Sequence, residues 1–232
     1  MNSQIFSSIQ TQRFVSAKRV QESIISGPER ATLLWLAQIT PRWINSDHLT
    51  ILGFLAQCMA GICYALARWH RSALLFGIVF IGLNWLGDSL DGTLARFRKV
   101  ERPRYGFYID HISDTIAALF LMGGLAISRY IHPAIAFGML VSFFMLSIEA
   151  YLATYTLGLF RLSYWKFGPT EIRILLALGN IALLNHSVVK LFGVRVEVFD
   201  IGGSVAIVGM TVMLIVSAVA HTAQLYRQET IA

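Results

Sequence analysis

From residue 49 to the C-terminal tail, long runs of apolar side chains alternate with short polar or basic segments. Each run is close to the ~20 residues that a helix needs to cross a hydrocarbon core of about 30 Å. The pattern predicts membrane spans over approximately residues 49–67, 73–95, 106–127, 134–158, 171–189 and 203–224. Six crossings would place both termini on one side. Residues 1–25 are polar and basic, and a helix start follows them. Ser26 is a cap candidate, Pro28 sits at an early helical position and Glu29 supplies an acid to the first turn. The run Leu33, Leu34, Trp35, Leu36 and Ile39 ends at Pro41. At about 12 residues this helix is too short to span, so it is expected to be amphipathic and interfacial, with Trp35 and Trp43 at headgroup level.

Composition turns this pattern into a class. The chain is 56% hydrophobic and 14% charged, against about 25% charged in soluble domains. The mean hydropathy is +0.61. The expected fold is all-α, a polytopic membrane protein of six transmembrane helices plus the N-terminal interfacial helix. No repeat or long linker divides it, so residues 1–232 form one predicted domain, with 1–45 interfacial and cytoplasmic and 46–227 the transmembrane core. Two longer connections stand out, from Phe97 to Tyr105, with the helix breaker Pro103, and from Val194 to Gly203.

Charge then orients the spans. The formal net charge is +6, and Lys and Arg gather in short cytoplasmic loops. With the N-terminus inside, the inside segments carry Arg13, Lys18, Arg19, Arg30, Arg42, Arg96, Arg98, Lys99, Arg102, Arg104, Arg161, Lys166 and Arg227. The outside segments carry only Arg68, Arg71, Arg129, Lys190 and Arg195. Both termini are therefore expected in the cytoplasm, as in a bacterial-type inner membrane protein. The basic surface is expected to face anionic lipid, with no soluble domain to hold nucleic acid. Cys58 and Cys63 lie in an apolar run without ligand spacing and are read as buried small hydrophobes. No cleavable signal is apparent, and the first span is expected to act as an uncleaved anchor.

Against that apolar background four aspartates stand out. They form Asp88xxAsp91Gly92xxAla95Arg96, then nine residues, then Gly106xxxAsp110xxxAsp114. Asp88 and Asp91 are i,i+3 on one helix, Asp110 and Asp114 i,i+4 on the next, so each pair shares a face. An aspartate in the middle of a lipid-facing helix costs roughly 2.5–3.5 kcal/mol, so these four must face a wet or metal-filled interior. An all-oxygen set with no His or Cys cluster suits Mg²⁺ or Mn²⁺. Four acids have room for two ions, an arrangement that clamps phosphate and suits phosphoryl-type transfer. Gly92, Ala95 and Gly106 leave room for a nucleotide, and Arg96 suits a diphosphate. Taken singly, small residues also serve helix packing and basic residues at span ends also set topology.

The whole pattern resembles the signature of the CDP-alcohol phosphatidyltransferase family, integral membrane enzymes of phospholipid synthesis. The resemblance implies transfer of a substituted phosphate group from a CDP-linked substrate, such as CDP-diacylglycerol, to an alcohol, with release of CMP. It implies Asp88, Asp91 and Asp110 as metal ligands, and Asp114 as general base sharing a metal. It also implies Gly92, Ala95, Arg96 and Gly106 around the CDP, and a homodimer. Ser46, Asp47, His48, Leu49 and Thr50 are similar to the family's proline-asparagine-x-x-threonine opening of the first span, with Ser46 and Asp47 as departures. Thr50 is a nucleotide contact on that basis, and a helix cap from Ser46 or Asp47 is the competing reading.

For the acceptor alcohol, ionisable groups near or inside spans are the clues. Glu149 or Glu171 in the cavity would suit an ammonium headgroup, as in CDP-choline or CDP-ethanolamine phosphotransferases, which Gly168–Glu171 and the Asp110–His111 pair echo. Arg161, Lys166 and Arg173 there would suit a phosphorylated acceptor. The structural alternative has Glu171 at the helix start and Arg173 paired with a carboxylate. His48, His70, His132, His186 and His221 are read as interfacial, and His111 as turned about 100° from Asp110 on an ideal helix. A reading from another class is a cation-coupled transporter, which favours mid-membrane acids and broken helices instead of acids at cytoplasmic span ends beside an arginine.

Overall fold

The computed structural model describes residues 18–20, 25–161, 169–185, 188–191 and 193–229. Helix α1 (Ser26–Ile39) is the short N-terminal helix, closed ahead of Pro41 as expected. Ser26 does not cap it: Ile25 holds the cap position, and no side chain caps the helix there. Leu33 and Ala37 of α1 are buried with Leu49, Leu90 and Leu94, while Trp35 and Trp43 stay exposed. One face of α1 thus packs on the bundle, and Trp35 of this helix and Trp43 just after it remain free for the interface.

Helix α2 (Ser46–Leu66) starts with a reciprocal cap that differs from the expected one. Asn45 Oδ1 accepts from the His48 backbone N–H at 3.0 Å, and His48 Nδ1 accepts from the Asn45 N–H at 3.3 Å. Two of the helix's unpaired donors are satisfied in this way. Ser46 and Asp47 are thereby released for tertiary contacts. The Ser46 hydroxyl donates to the Asp91 carbonyl at 3.1 Å, and Asp47 pairs with Arg102.

Helices α3 (Ala73–Phe97) and α4 (Pro103–Ile127) are joined by residues 98–102 alone. Pro103, expected to break a longer loop, instead opens α4, where its missing N–H costs no intrahelical bond. Helix α5 (Pro133–Leu157) ends at Gly158, whose φ of 66° is the left-handed stop that glycine adopts without strain. Helix α6 (Pro169–Asn185) and helix α7 (Val198–Gln228) complete the bundle. Among the described residues, four short strands escaped the sequence reading. β1 (Lys18–Val20) pairs in parallel with β2 (Leu159–Arg161), and β3 (Val188–Leu191) pairs antiparallel with β4 (Val194–Glu197). Much of the expected 194–203 loop is therefore β4 and the start of α7.

Among the described residues, α2, α3, α4, α5 and α7 are long and apolar enough to cross a membrane. The predicted fifth span is the shorter α6, of 17 residues. It nonetheless runs along α3 from Asp88, in the second half of that helix, back to the helix start. Near its start Arg173 reaches Asp88, and near its finish the Leu183 carbonyl accepts from Arg71, just ahead of α3.

Two glycine crossings draw the central helices together. A Cβ on Gly87 of α3 would overlap the backbone of Gly53 and the Leu49 carbonyl of α2. A Cβ on Gly124 of α4 would overlap the Gly61 carbonyl of α2, and one on Gly61 would strike the Phe120 carbonyl. Small residues of this kind let helix backbones touch where hydrophobic burial offers little drive between helices in lipid. Helix α2 is thus gripped by α3 near its cleft end and by α4 further along. Tyr64, Leu74, Leu125 and Leu183 fill the interior. Ile51, Leu55, Phe76, Val79, Val205, Val208 and Val212 are exposed, giving the helices the apolar outer surface that a bilayer requires.

Candidate functional site

The Gly53–Gly87 crossing sits one residue before Asp88, so the closest approach of α2 and α3 sets the position of the first aspartate. Asp110 and Asp114 come from the second and third turns of α4. Carboxylate oxygens of Asp88, Asp110 and Asp114 lie within 4.8 Å of one another. Asp91 lines the same cleft one turn along α3: the Thr50 hydroxyl of α2 donates to its Oδ2 at 2.6 Å, and the neighbouring Gly92 N–H bonds its Oδ1. Phe54 and Gln57 of α2, Asn84 of α3 and Ser113 of α4 complete the walls.

Three carboxylates this close repel one another strongly in a medium of low dielectric, and a divalent cation offsets that repulsion. The donor set is all oxygen. Cys58 and Cys63 are free and buried along α2, as expected, and His111 Nδ1 lies 2.7 Å from the Phe107 carbonyl. The residues present therefore fit an Mg²⁺-type ion better than zinc.

Arg173, from the second turn of α6, lies against this cluster. Its Nη2 donates to Asp88 Oδ2 at 2.5 Å and its Nε to Asn84 Oδ1 at 2.7 Å. Asn84, buried on α3 one turn before Asp88, also donates to the Gly53 carbonyl at 3.0 Å and to Gln57 Oε1 at 3.1 Å. Sequence reading missed Asn84. The available signal was an amide four residues before an intramembrane acid, on the same helix face.

The other anticipated residues fall into two sets. Gly92 and Gly106 serve no helix crossing. A Cβ on Gly92 would meet only the Arg96 guanidinium, at 3.4 Å from Nη1, and one on Gly106 would enter open space. Ala95 is half-buried and Arg96 exposed beside them, the Arg96 Nη2 donating to Thr93 Oγ1 at 3.3 Å. The cleft mouth is therefore open where a nucleotide was expected.

The acceptor candidates are dispersed. Glu149 of α5 lies 2.6 Å from His221 Nδ1 of α7 and does not line the cleft, so it is not available there for an ammonium group. This also gives His221 a partner within the bundle. Glu171 is buried and accepts from the Ile25 N–H at 3.3 Å. Lys166 and the Arg161 side chain lie outside the described residues, as does His186. His111 stacks on Phe107, with centroids 4.1 Å apart, and its Nδ1 is 3.7 Å from Asp110 Oδ2, nearer than ideal-helix geometry implies.

Basic residues brace the mouth. Arg98 donates to the carbonyls of Ile44 at 2.5 Å, Thr40 at 2.9 Å and Pro41 at 3.0 Å, tying the α1–α2 connection to the end of α3. Arg102 lies over the Tyr105 ring, 4.3 Å from its centroid, and makes the pair with Asp47.

Over residues 43–224 the chain matches the sequence profile of the family described as CDP-alcohol phosphatidyltransferase. The matched region begins after α1 and contains the whole cleft. No curated protein sequence matches the chain at a significant level.

Proposed function

This chain belongs to the CDP-alcohol phosphatidyltransferase family, and we propose that it moves a phosphatidyl-type group from a CDP-linked lipid, such as CDP-diacylglycerol, to a phosphorylated alcohol at the cytoplasmic face of a membrane. Membership makes it a membrane-embedded phosphotransferase that uses a CDP-alcohol and an alcohol acceptor. The finer reading rests above all on the convergence of Asp88, Asp110 and Asp114 at the end of a cleft that Asp91 also lines.

Asp88, Asp91 and Asp110 are the residues to hold Mg²⁺ or Mn²⁺, with the Asp114 carboxylate beside those of Asp88 and Asp110. Bound there, the cation would neutralise phosphate oxygens and stabilise the departing CMP. Asp114 takes the proton from the acceptor hydroxyl, the freed oxygen attacks the β-phosphorus, and the bond from that phosphorus to the CMP oxygen breaks. The open surface of Gly92, Ala95 and Gly106 receives the nucleotide, Arg96 its diphosphate, and Thr50 keeps Asp91 oriented.

Two observations support a phosphorylated acceptor over an ammonium-bearing one. Arg173 brings a guanidinium to the aspartate cluster, where a cation bound by Asp88 would leave it to pair with a phosphate. Glu149, the acid suited to an ammonium headgroup, is taken up by His221. The cytoplasmic assignment rests on Arg42, Arg96, Arg98, Lys99, Arg102 and Arg104, all at the cleft end of the bundle.

The test is CMP release by purified protein given CDP-diacylglycerol with phosphorylated or unphosphorylated alcohols, and CDP-choline with diacylglycerol. Activity is expected only with the phosphorylated acceptors, to vanish with EDTA and to return with Mg²⁺ or Mn²⁺. Release with CDP-choline and diacylglycerol alone would overturn the acceptor assignment, and metal-independent release the metal assignment.

A further inference from the structure

Helices α1 and α6 begin side by side, and each carries a buried acid in its first turn, Glu29 and Glu171. Each acid serves the other helix. Glu171 Oε1 accepts the backbone N–H of Ile25, the cap residue of α1, at 3.3 Å. Glu29 Oε1 accepts the hydroxyl of Thr170, in the first turn of α6, at 2.6 Å, and the indole Nε1–H of Trp85 on α3 at 2.9 Å. The first turns of helices carry unpaired N–H groups and partial positive charge, so a carboxylate at each is doubly favoured. Burial makes the arrangement specific, because a desolvated carboxylate stays only where donors meet it.

This clasp lies next to the reactive site in sequence as well as space. Trp85 precedes Asp88 by three residues, and Arg173 follows Glu171 by two. We infer that Glu29 is a positioning residue: by holding the start of α6 against α3, it sets where Arg173 meets Asp88. The N-terminal helix, which lies outside the family match at 43–224, thereby becomes part of the machinery that orients the site. The inference rests on the reading of the aspartate cluster as the reactive site, but the clasp itself can be tested without turnover.

Hydrogen exchange on the full chain in nanodiscs supplies that test. Glu29→Ala and Thr170→Val are expected to speed exchange at least tenfold in the α6 amides of residues 173–177, while those of residues 140–150 in α5 stay unchanged. Thr170→Ser, which keeps the hydroxyl, should restore protection. Unchanged α6 exchange in Glu29→Ala, or loss of protection across the whole bundle in both Glu29→Ala and Thr170→Val, would overturn the clasp. CMP release then separates positioning from general stability. In an Arg173→Ala background, Glu29→Ala should lower kcat no further, whereas losses that multiply would overturn action through Arg173. A wild-type chain that releases no CMP from any donor, yet shows the exchange changes, would refute the proposed reaction and leave the clasp standing.

Discussion

Asp114 sits one turn further along α4 than Asp110, so the two carboxylates share a face but differ in depth. That deeper position suits a group that takes the proton once the acceptor is seated, while its companions hold the donor. Asp114→Asn keeps the shape and removes the ability to take a proton. CMP release should fall by about 10²–10⁴-fold, while CDP binding measured by titration calorimetry stays within a few-fold of wild type. Near-normal turnover would remove Asp114 as the base. Asn84 offers a second test at this scale. Asn84→Leu keeps the branching at Cγ but takes away the acceptor for Arg173 and a donor to Gly53. Misplacing a substrate-positioning group can cost about 10²-fold, expected here in kcat/KM for the phosphorylated acceptor, while Mn²⁺ affinity followed by electron paramagnetic resonance stays within a few-fold of wild type. The aspartates were legible in the sequence because an acid in an apolar run has few reasons to exist other than chemistry. Asn84 and the target of Arg173 were not, because their partners lie on other helices and no local spacing encodes them.

The helices themselves were readable from apolar length, and so were the position of α1 and its stop at Pro41. Their ends were less so. The cap of α2 fell to Asn45 rather than Ser46 or Asp47, since the residue in extended conformation before the first turn is the one whose side chain can reach back to the N3 amide. The strands were invisible because segments of 3 and 4 residues carry too little alternation to register. The packing glycines went unread: Gly53, Gly61, Gly87 and Gly124 make the helix crossings, whereas Gly92 and Gly106, read as room for a nucleotide, face open or side-chain space. Two kinds of substitution should therefore separate cleanly. Gly87→Val forces α2 and α3 apart, and overpacking of this kind typically costs about 1–3 kcal/mol or more. A lowered melting temperature in detergent is expected together with lost activity. Gly106→Ala meets no neighbour and replaces a helical glycine, so melting should not fall while KM for the CDP substrate rises severalfold. An unchanged KM would remove Gly106 from the nucleotide surface.

At the scale of the whole molecule, the open question is how a helix of 17 residues belongs to a membrane bundle. At about 1.5 Å per residue α6 is some 26 Å long, just short of a hydrocarbon core of about 30 Å. Its contacts, however, run from Asp88 at the cleft to the Arg71–Leu183 bond at the far side. Its acid and base sit in its first two turns, where the clasp with α1 and the aspartate cluster satisfy them, so neither meets lipid. A short hydrophobic helix can cross when the bilayer thins locally or when its flanking residues reach the interface, at a cost of fractions of a kcal/mol per Å of mismatch. The β3–β4 hairpin that follows α6 would then sit on the face opposite the cleft, with its edge Lys190 and Arg195 in water. Full crossing by α6 predicts that single cysteines placed at residues 42, 99 and 229 are labelled by an impermeant maleimide from one side of sealed vesicles, and cysteines at 190 and 195 only from the other. Labelling of 229 and 99 from opposite sides would mean that α6 re-enters rather than crosses, with α7 then running in the reverse sense to its packing against α5.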